Sequence, residues 1–195
     1  QENRGLPLQR ISEIITAVGN ALGYAHGRGM IHRDIKPHNI MFTSSGQPML
    51  ADFGIAKILN TTSISDPNTI SGTPAYMSPE QAKGDTLDAR TDLYSLGVVL
   101  FELLSGRVPF DADSPIAVVY KHLDAPVPPP RTFVDGLPAN LERVMLKALE
   151  KNPDNRYQTA DEMVTAVQSA IMTAVRTGTV LKPRAPAAAP PRPTP

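Results

Sequence analysis

The sequence has no cysteine and no tryptophan, and aromatic residues make up only 5% of its 195 residues. Without cysteine the chain forms no disulfide and no thiolate metal site, which fits a reducing compartment. Lys and Arg number 19 and Asp and Glu also number 19, so the formal net charge is zero. Because there is no excess of positive charge, neither nucleic acid nor an anionic membrane surface is expected as the main partner.

Long hydrophobic runs and targeting signals are also missing. No apolar stretch approaches the ~18 residues of a membrane-spanning helix, and the most apolar one, residues 96–104, is interrupted by Gly97 and Glu102. No secretory signal peptide is recognisable at the start, so we expect a cytoplasmic location. Because the first residue is Gln1 rather than Met, we expect the sequence to begin inside a longer protein. A membrane segment after Pro195 is left open.

The most informative stretch reads IHRDIKPHNIM, and the triplet DFG follows it shortly afterwards. Phosphoryl transfer depends mostly on positioning and on neutralising charge. The amide oxygen of Asn39 and the carboxylate of Asp52 are the kinds of ligand that Mg²⁺ prefers. Asp34 is a candidate to accept or orient the proton of an attacking hydroxyl, and Lys36 is a candidate cation beside the transferring phosphate. The pattern predicts the metal and phosphate end of a phosphotransferase.

The pattern His32-Arg33-Asp34-x-Lys36-x-x-Asn39, with Asp52-Phe53-Gly54, resembles the catalytic loop and metal motif of eukaryotic-type serine/threonine protein kinases, most of all the bacterial Hanks-type enzymes. Alone, His32 is more often a buried structural histidine and the DFG triplet more often a turn. Their order and spacing favour the catalytic interpretation. The resemblance implies ATP and Mg²⁺ as cofactors, and transfer of the γ-phosphate to Ser or Thr hydroxyls of protein substrates.

The same resemblance implies a role for each matching residue. The implied catalytic residues are Asp34, Lys36 and Asn39. The implied ATP-binding residues are Lys36, Asn39, Met41 and Asp52, of which Asn39 and Asp52 hold the metal. The implied supporting residues are His32, Arg33, Phe53 and Gly54.

Residues 54–80 are rich in Thr, Ser, Asp and Asn, which predicts a long loop of the kind that is usually functional or disordered. The loop ends in GTPAYMSPE, which resembles the end of a kinase activation segment, with Ser78 where alanine is more frequent. The resemblance implies that Thr73 hydrogen-bonds near the catalytic aspartate. A phosphate on the loop calls for an arginine partner, and Arg33 is the expected one. The candidate phosphorylation sites, each otherwise a solvated loop hydroxyl, are Thr61, Thr62, Ser63, Ser65 and Thr69.

Hydrophobic periodicity predicts a mainly α-helical fold with a small β-hairpin. A first helix follows Pro7 and ends near Gly27, a hairpin joins residues 40–42 to residues 49–51, and an apolar helix spans residues 90–105. Further helices are expected from about residues 114, 138 and 159. By resemblance this is the C-terminal lobe of the α+β protein kinase fold without its N-terminal lobe.

Two charged positions in the helical region are expected to serve structure. Asp92 lies at the start of the apolar helix, where an unpaired carboxylate is costly to bury. We expect it to accept backbone hydrogen bonds, and the resemblance implies that it anchors the catalytic loop. The alternative is a simple helix cap. Arg156 is the residue that the resemblance pairs with Glu80 in a buried ion pair, which ties the activation segment to the helical base. A surface arginine is its alternative.

The predicted organisation is a kinase lobe over residues 1–176 and a disordered Pro/Ala-rich linker over residues 177–195. No G-x-G-x-x-G motif occurs in the sequence, nor the strand lysine that grips the nucleotide phosphates or its glutamate partner. We therefore expect the chain alone to be nearly inactive.

Other functions were weighed against kinase activity. A pseudokinase, or a truncated lobe that serves as a protein-binding module, is the main alternative, although the catalytic and metal-binding positions are all filled. A small-molecule kinase of the aminoglycoside type has no activation segment like residues 72–80. The partners implied for a protein kinase are Ser/Thr protein substrates, and a homodimer for autophosphorylation is left open.

Overall fold

The structure is a computed structural model, and it describes residues 6–52 and 74–184. Within these ranges the chain is mainly helical, which confirms the predicted fold class. The helices are α1 (Leu8–His26), α2 (Pro79–Lys83), α3 (Ala89–Ser105), α4 (Pro115–Asp124), α5 (Ala139–Ala148) and α6 (Ala160–Arg176). The strands are β1 (Ile40–Phe42), β2 (Pro48–Leu50), β3 (Val134–Asp135) and β4 (Lys182–Pro183). None of the described helices is both long and apolar enough to cross a bilayer.

Helix α3 lies at the centre of the hydrophobic core. Its residues from Leu93 to Phe101 are buried on all sides, as expected for a helix without a polar face. Gly97 allows a neighbour to approach closely, because a Cβ added there would lie 2.8 Å from the Cβ of Ala148 on α5. The glycine is therefore required by packing, which offsets its cost of ~1 kcal/mol in a helix interior.

Helix α1 carries the chain to the candidate site. Its apolar stripe, which includes Ile11, Ile15, Val18 and Leu22, is buried, and the helix packs mainly against α6. Gly29 follows its end with φ 72°, a left-handed conformation that glycine adopts without strain. The helix therefore ends where the sequence predicts and delivers the loop at residues 31–39.

The hairpin and the C-terminal segment were both assigned from sequence, with different outcomes. Strands β1 and β2 pair antiparallel, with Ile40 opposite Leu50. The second strand begins one residue earlier than predicted.

The linker predicted from residue 177 needs a correction over residues 177–184. Strand β4 pairs with β3, and Leu181 packs against the core. Composition favours a linker there, but these backbone bonds and this burial fix the segment. Residues 185–195 lie outside the described residues.

Candidate active site

Asp92 holds the loop at residues 31–39, which carries the polar cluster of Asp34, Lys36 and Asn39. Its carboxylate accepts backbone hydrogen bonds from His32 N and Arg33 N, each at 2.8 Å. It also lies 2.8 Å from Nε2 of His26, in the last turn of α1. This is the backbone bonding expected for Asp92, and the N-cap of α3 is instead Asp88. His26 was missed in the sequence, where a histidine near a helix end carries no signal of a partner on a distant helix.

Asp34, Lys36 and Asn39 converge within this loop. Lys36 Nζ lies 2.8 Å from Asp34 Oδ2. Asn39 Nδ2 donates to the Asp34 carbonyl at 2.7 Å and to Asp34 Oδ2 at 3.1 Å. The short 3-10 turn Pro37–Asn39 makes this possible by bringing Asn39 back toward Asp34. Because its amide nitrogen is directed at Asp34, the amide oxygen of Asn39 is the atom suited to a hard cation.

His32 connects the loop to the residue before Asp52. Its Nδ1 accepts from the backbone N–H of Asp34 at 3.3 Å. Its Nε2 lies 3.1 Å from the carbonyl of Ala51, which can only accept, so Nε2 carries the proton. The N–H of Ala51 in turn donates to the Asn39 carbonyl at 2.9 Å. Asp52 is thus attached, through Ala51, to the loop that carries Asp34 and Asn39.

Backbone strain is found at two positions of this site. Arg33 (φ 66°) and Asp52 (φ 56°) are the described non-glycine residues with positive φ. Such a conformation costs roughly 1–3 kcal/mol and persists where surrounding bonds impose it. The bonds of Asp92 to the loop and of Ala51 to His32 and Asn39 impose it here.

The oxygen atoms of Asn39 and Asp52 suit Mg²⁺, but the described side chains do not form a complete metal cage of their own. In residues 6–52 and 74–184 no group of three or more His, Cys, Asp and Glu residues is arranged to hold a metal ion. Asn39 and Asp52 would supply two oxygen ligands, and Mg²⁺ ordinarily completes its shell with phosphate oxygens and water. Met41, implied to lie under the adenine, is 54% exposed on β1. Phe53, Gly54, Thr73 and the candidate phosphorylation sites at residues 61–69 lie outside the described residues.

Arg33 has an unusual environment. Its Nε is the buried side-chain nitrogen or oxygen of the described residues that has no hydrogen-bond partner, and such atoms are rare in folded proteins. Its carbonyl accepts from Gln81 Nε2 on α2 at 2.8 Å. A cavity of about 30 Å³ lies beside it, lined among others by Asp34, Lys36 and Tyr76. Gln81 thus connects α2 to the backbone of the loop that carries Asp34 and Lys36.

Ser78, which lies where alanine is more frequent, caps a helix. Its hydroxyl accepts from Gln81 N at 3.3 Å, and Gln81 Oε1 accepts from Ser78 N at 3.0 Å. This is a capping box at the start of α2. The spacing S-x-x-Q signals the cap in the sequence, but nothing there signals the bond of Gln81 to the carbonyl of Arg33.

Glu80, at the end of the segment of residues 72–80, forms the expected ion pair with Arg156. Arg156 Nη1 and Nη2 lie 2.7 and 2.8 Å from the Glu80 carboxylate, and Thr91 donates to it at 2.9 Å. Burial alone raises the pKa of Glu80, but the hydrogen bonds and charge of Arg156 outweigh it, so the pKa is lowered overall. Arg156 also donates to the carbonyls of Glu150 and Lys151, which leaves its guanidinium well satisfied.

Comparison with known proteins agrees with this geometry. The protein kinase domain family matches residues 1–167. The chain is 52% identical over 158 residues to the serine/threonine-protein kinase PknB of Mycolicibacterium smegmatis, a match that covers 80% of this chain and 25% of that protein. It is 48% identical over 157 residues to PknB of Mycobacterium tuberculosis, again covering 80% and 25%. The chain spans about a quarter of the length of these relatives.

A solved structure shows the same fold. A double mutant of the PknI kinase domain of Mycobacterium tuberculosis superposes with a TM-score of 0.66 at 29% identity, covering 88% of this chain and 58% of that one. The chain therefore belongs to the protein kinase family, and the resemblance stated from its motifs is confirmed.

Proposed function

We propose that this chain is the C-terminal lobe of a serine/threonine protein kinase that transfers the γ-phosphate of ATP to hydroxyls of protein substrates. The observation that carries the proposal is the convergence of Asp34, Lys36 and Asn39, with Asp52 attached to the same loop through Ala51. Motif order alone does not bring these residues together. The relatives named PknB support the serine/threonine class.

Each residue has a role that its contacts support. Asp34 accepts or orients the proton of the substrate hydroxyl. Lys36, already paired with Asp34 at 2.8 Å, neutralises charge on the phosphate during transfer. Asn39 and Asp52 would hold Mg²⁺, which when bound would neutralise negative charge on the phosphates. Asn39 also keeps the Asp34 carboxylate in place through its amide nitrogen.

The chain alone is expected to be nearly inactive. The sequence contains no glycine-rich phosphate loop of the family. In addition, the hairpin leaves three large apolar side chains half-exposed, namely Met41 at 54%, Phe42 at 50% and Met49 at 50%. Together with ATP, an N-terminal lobe would cover this surface. Protein substrates and ATP with Mg²⁺ are therefore proposed for the assembled kinase.

The proposal is tested by joining an N-terminal lobe from a related bacterial kinase to the chain. Phosphate transfer from ATP to a Ser/Thr peptide is then measured for the wild type, Asp34→Asn and Asp52→Asn. Each substitution is expected to lower kcat by at least about 100-fold, the usual scale for losing acid–base or charge stabilisation. Asp113→Asn, at an exposed loop position, is the matched control. Activity that survives both site substitutions would contradict the assigned roles, whereas a folded wild-type fusion without activity would favour a protein-binding module.

A further inference from the structure

The turn Pro74–Tyr76, just before α2, is held at several points by helices α3 and α4. Ser95 Oγ on α3 donates to the Tyr76 carbonyl at 2.7 Å. The Tyr76 hydroxyl donates to Glu102 Oε2, also on α3, at 2.6 Å. His122 on α4 contributes Nε2, which lies 3.1 Å from the Ala75 carbonyl. The backbone carbonyls of two successive residues are thus fixed from two different helices.

The hydrogen bonds of His122 define its protonation. The side chain is fully buried. Because the Ala75 carbonyl can only accept, Nε2 must carry the proton. Nδ1 of the neutral ring then accepts from the Tyr94 hydroxyl at 2.9 Å. Burial first, and the nearby charge of Lys151 second, lower the pKa of His122 to about 4, so the ring is neutral at pH 7.

His122 also joins the turn to the buried ion pair. The ring of Tyr94 carries the Arg156 guanidinium 4.8 Å from its centroid, and Arg156 binds Glu80 at the start of α2. On its other side, Lys151 Nζ donates to the His122 carbonyl at 2.7 Å. The contacts around His122 therefore connect helices α3 and α4 to the Ala75 carbonyl. Through Tyr94 and Arg156 they also lead to Glu80 at the start of α2.

The turn lies beside the polar cluster of the site. Tyr76 and Met77 line the same cavity, of about 30 Å³, as Asp34 and Lys36. A hydroxyl-bearing residue of a substrate placed at Asp34 has its chain neighbour only ~3.3–3.6 Å further along an extended backbone. Tyr76 and Met77 are therefore within reach of that neighbour.

We propose that His122 is a positioning residue, which fixes the Ala75 carbonyl and thereby holds the turn at residues 74–77 in the form that accepts a protein substrate. The proposal rests on the kinase function proposed above. Since His122 does not reach the reacting atoms, it acts on substrate affinity and leaves the rate of phosphate transfer unchanged. Its donor at Nε2 is the feature that matters, because without it the buried carbonyl of Ala75 loses this hydrogen bond.

The first test measures kcat and KM for a synthetic Ser/Thr peptide, using the kinase assembled with an N-terminal lobe. His122→Phe keeps the ring but removes both hydrogen bonds, and we expect KM to rise about 10-fold, within the range for an unpaired buried acceptor. His122→Gln retains a donor and an acceptor and is expected to restore most of the affinity. Tyr94→Phe, which removes only the hydroxyl, is expected to have an intermediate effect. The matched control is Tyr120→Phe, because Tyr120 is 60% exposed on the same helix.

The second test needs no phosphate transfer. Amide hydrogen exchange of residues 74–84 is measured in the 195-residue chain, with faster exchange expected for His122→Phe but not for His122→Gln. If the wild-type kinase transfers no phosphate, the proposed function fails and the exchange result alone decides the positioning role. Unchanged exchange in a folded His122→Phe variant, or a fall in kcat at constant KM, would overturn the proposal. If His122→Phe does not fold, unchanged exchange in Tyr94→Phe overturns it.

Discussion

Two ion pairs of this lobe have nearly the same length but very different surroundings. The Lys36–Asp34 pair, at 2.8 Å, has side chains that are 31% and 25% exposed. The Arg156–Glu80 pair, at 2.7 Å, has side chains that are 0% and 8% exposed. A pair open to water contributes little to stability, whereas breaking a buried pair leaves an uncompensated charge. Breaking the Arg156–Glu80 pair is therefore expected to cost more than breaking the Lys36–Asp34 pair, so Lys36 and Asp34 can change partners at low cost.

Removing the buried arginine is expected to have the largest effect on folding. Arg156→Met leaves the Glu80 carboxylate unpaired and should lower the free energy of unfolding by about 3–5 kcal/mol, measured by urea denaturation at pH 7. The control is Arg131→Met, which breaks a pair whose arginine is 50% exposed and should cost at most ~1 kcal/mol. Equal losses of unfolding free energy in the two variants would show that the buried pair matters no more than the exposed pair.

The neutral state of His122 predicts a pH dependence of stability. The pKa of His122 falls from 6.5 to about 4 in the folded chain, so the unfolded state takes up its proton first as the pH drops. This part of the stability is complete above about pH 6.5 and is lost progressively toward pH 4, on the order of 3 kcal/mol. Urea denaturation of the wild type and His122→Gln at pH 7.5 and 5.0 checks it. The variant should lose less stability over that interval, and parallel losses would mean that His122 is not the titrating group.

The cap on α2 is expected to give the smallest effect. Ser78→Ala removes the hydroxyl that accepts from Gln81 N and should destabilise the lobe by ~1 kcal/mol. The bond from Ser78 N to Gln81 Oε1 involves the backbone and survives the substitution. Ser44→Ala, at an exposed position between β1 and β2, is the control in the same urea experiment. A larger loss of stability for Ser78→Ala than for Arg156→Met would contradict the greater importance of the buried ion pair.

The sequence predicts well those features that depend on local pattern. Helical periodicity places α1 and α3, and the polar residues from His32 to Asn39 mark a candidate site because their types and spacing suit phosphate chemistry. The Glu80–Arg156 pair was expected only through resemblance, because nothing local links residues so far apart in the chain.

Contacts that arise from packing could not be predicted in this way. Strand β4 consists of Lys182 and Pro183, a composition without strand preference, and it forms because β3 offers a free edge nearby. His26 and His122 each look like an ordinary histidine in the last turn of a helix. Their roles become visible only when folding sets them against Asp92 and Ala75.

The most direct measurement is the affinity of the assembled kinase for ATP as a function of Mg²⁺ concentration, determined by calorimetry for the wild type, Asp52→Asn and Asp34→Asn. If Asn39 and Asp52 hold the metal while Asp34 serves the hydroxyl, Mg²⁺ should tighten ATP binding in the wild type and in Asp34→Asn. In Asp52→Asn that enhancement should be lost. An enhancement that persists in Asp52→Asn would contradict a shared metal site built on Asn39 and Asp52.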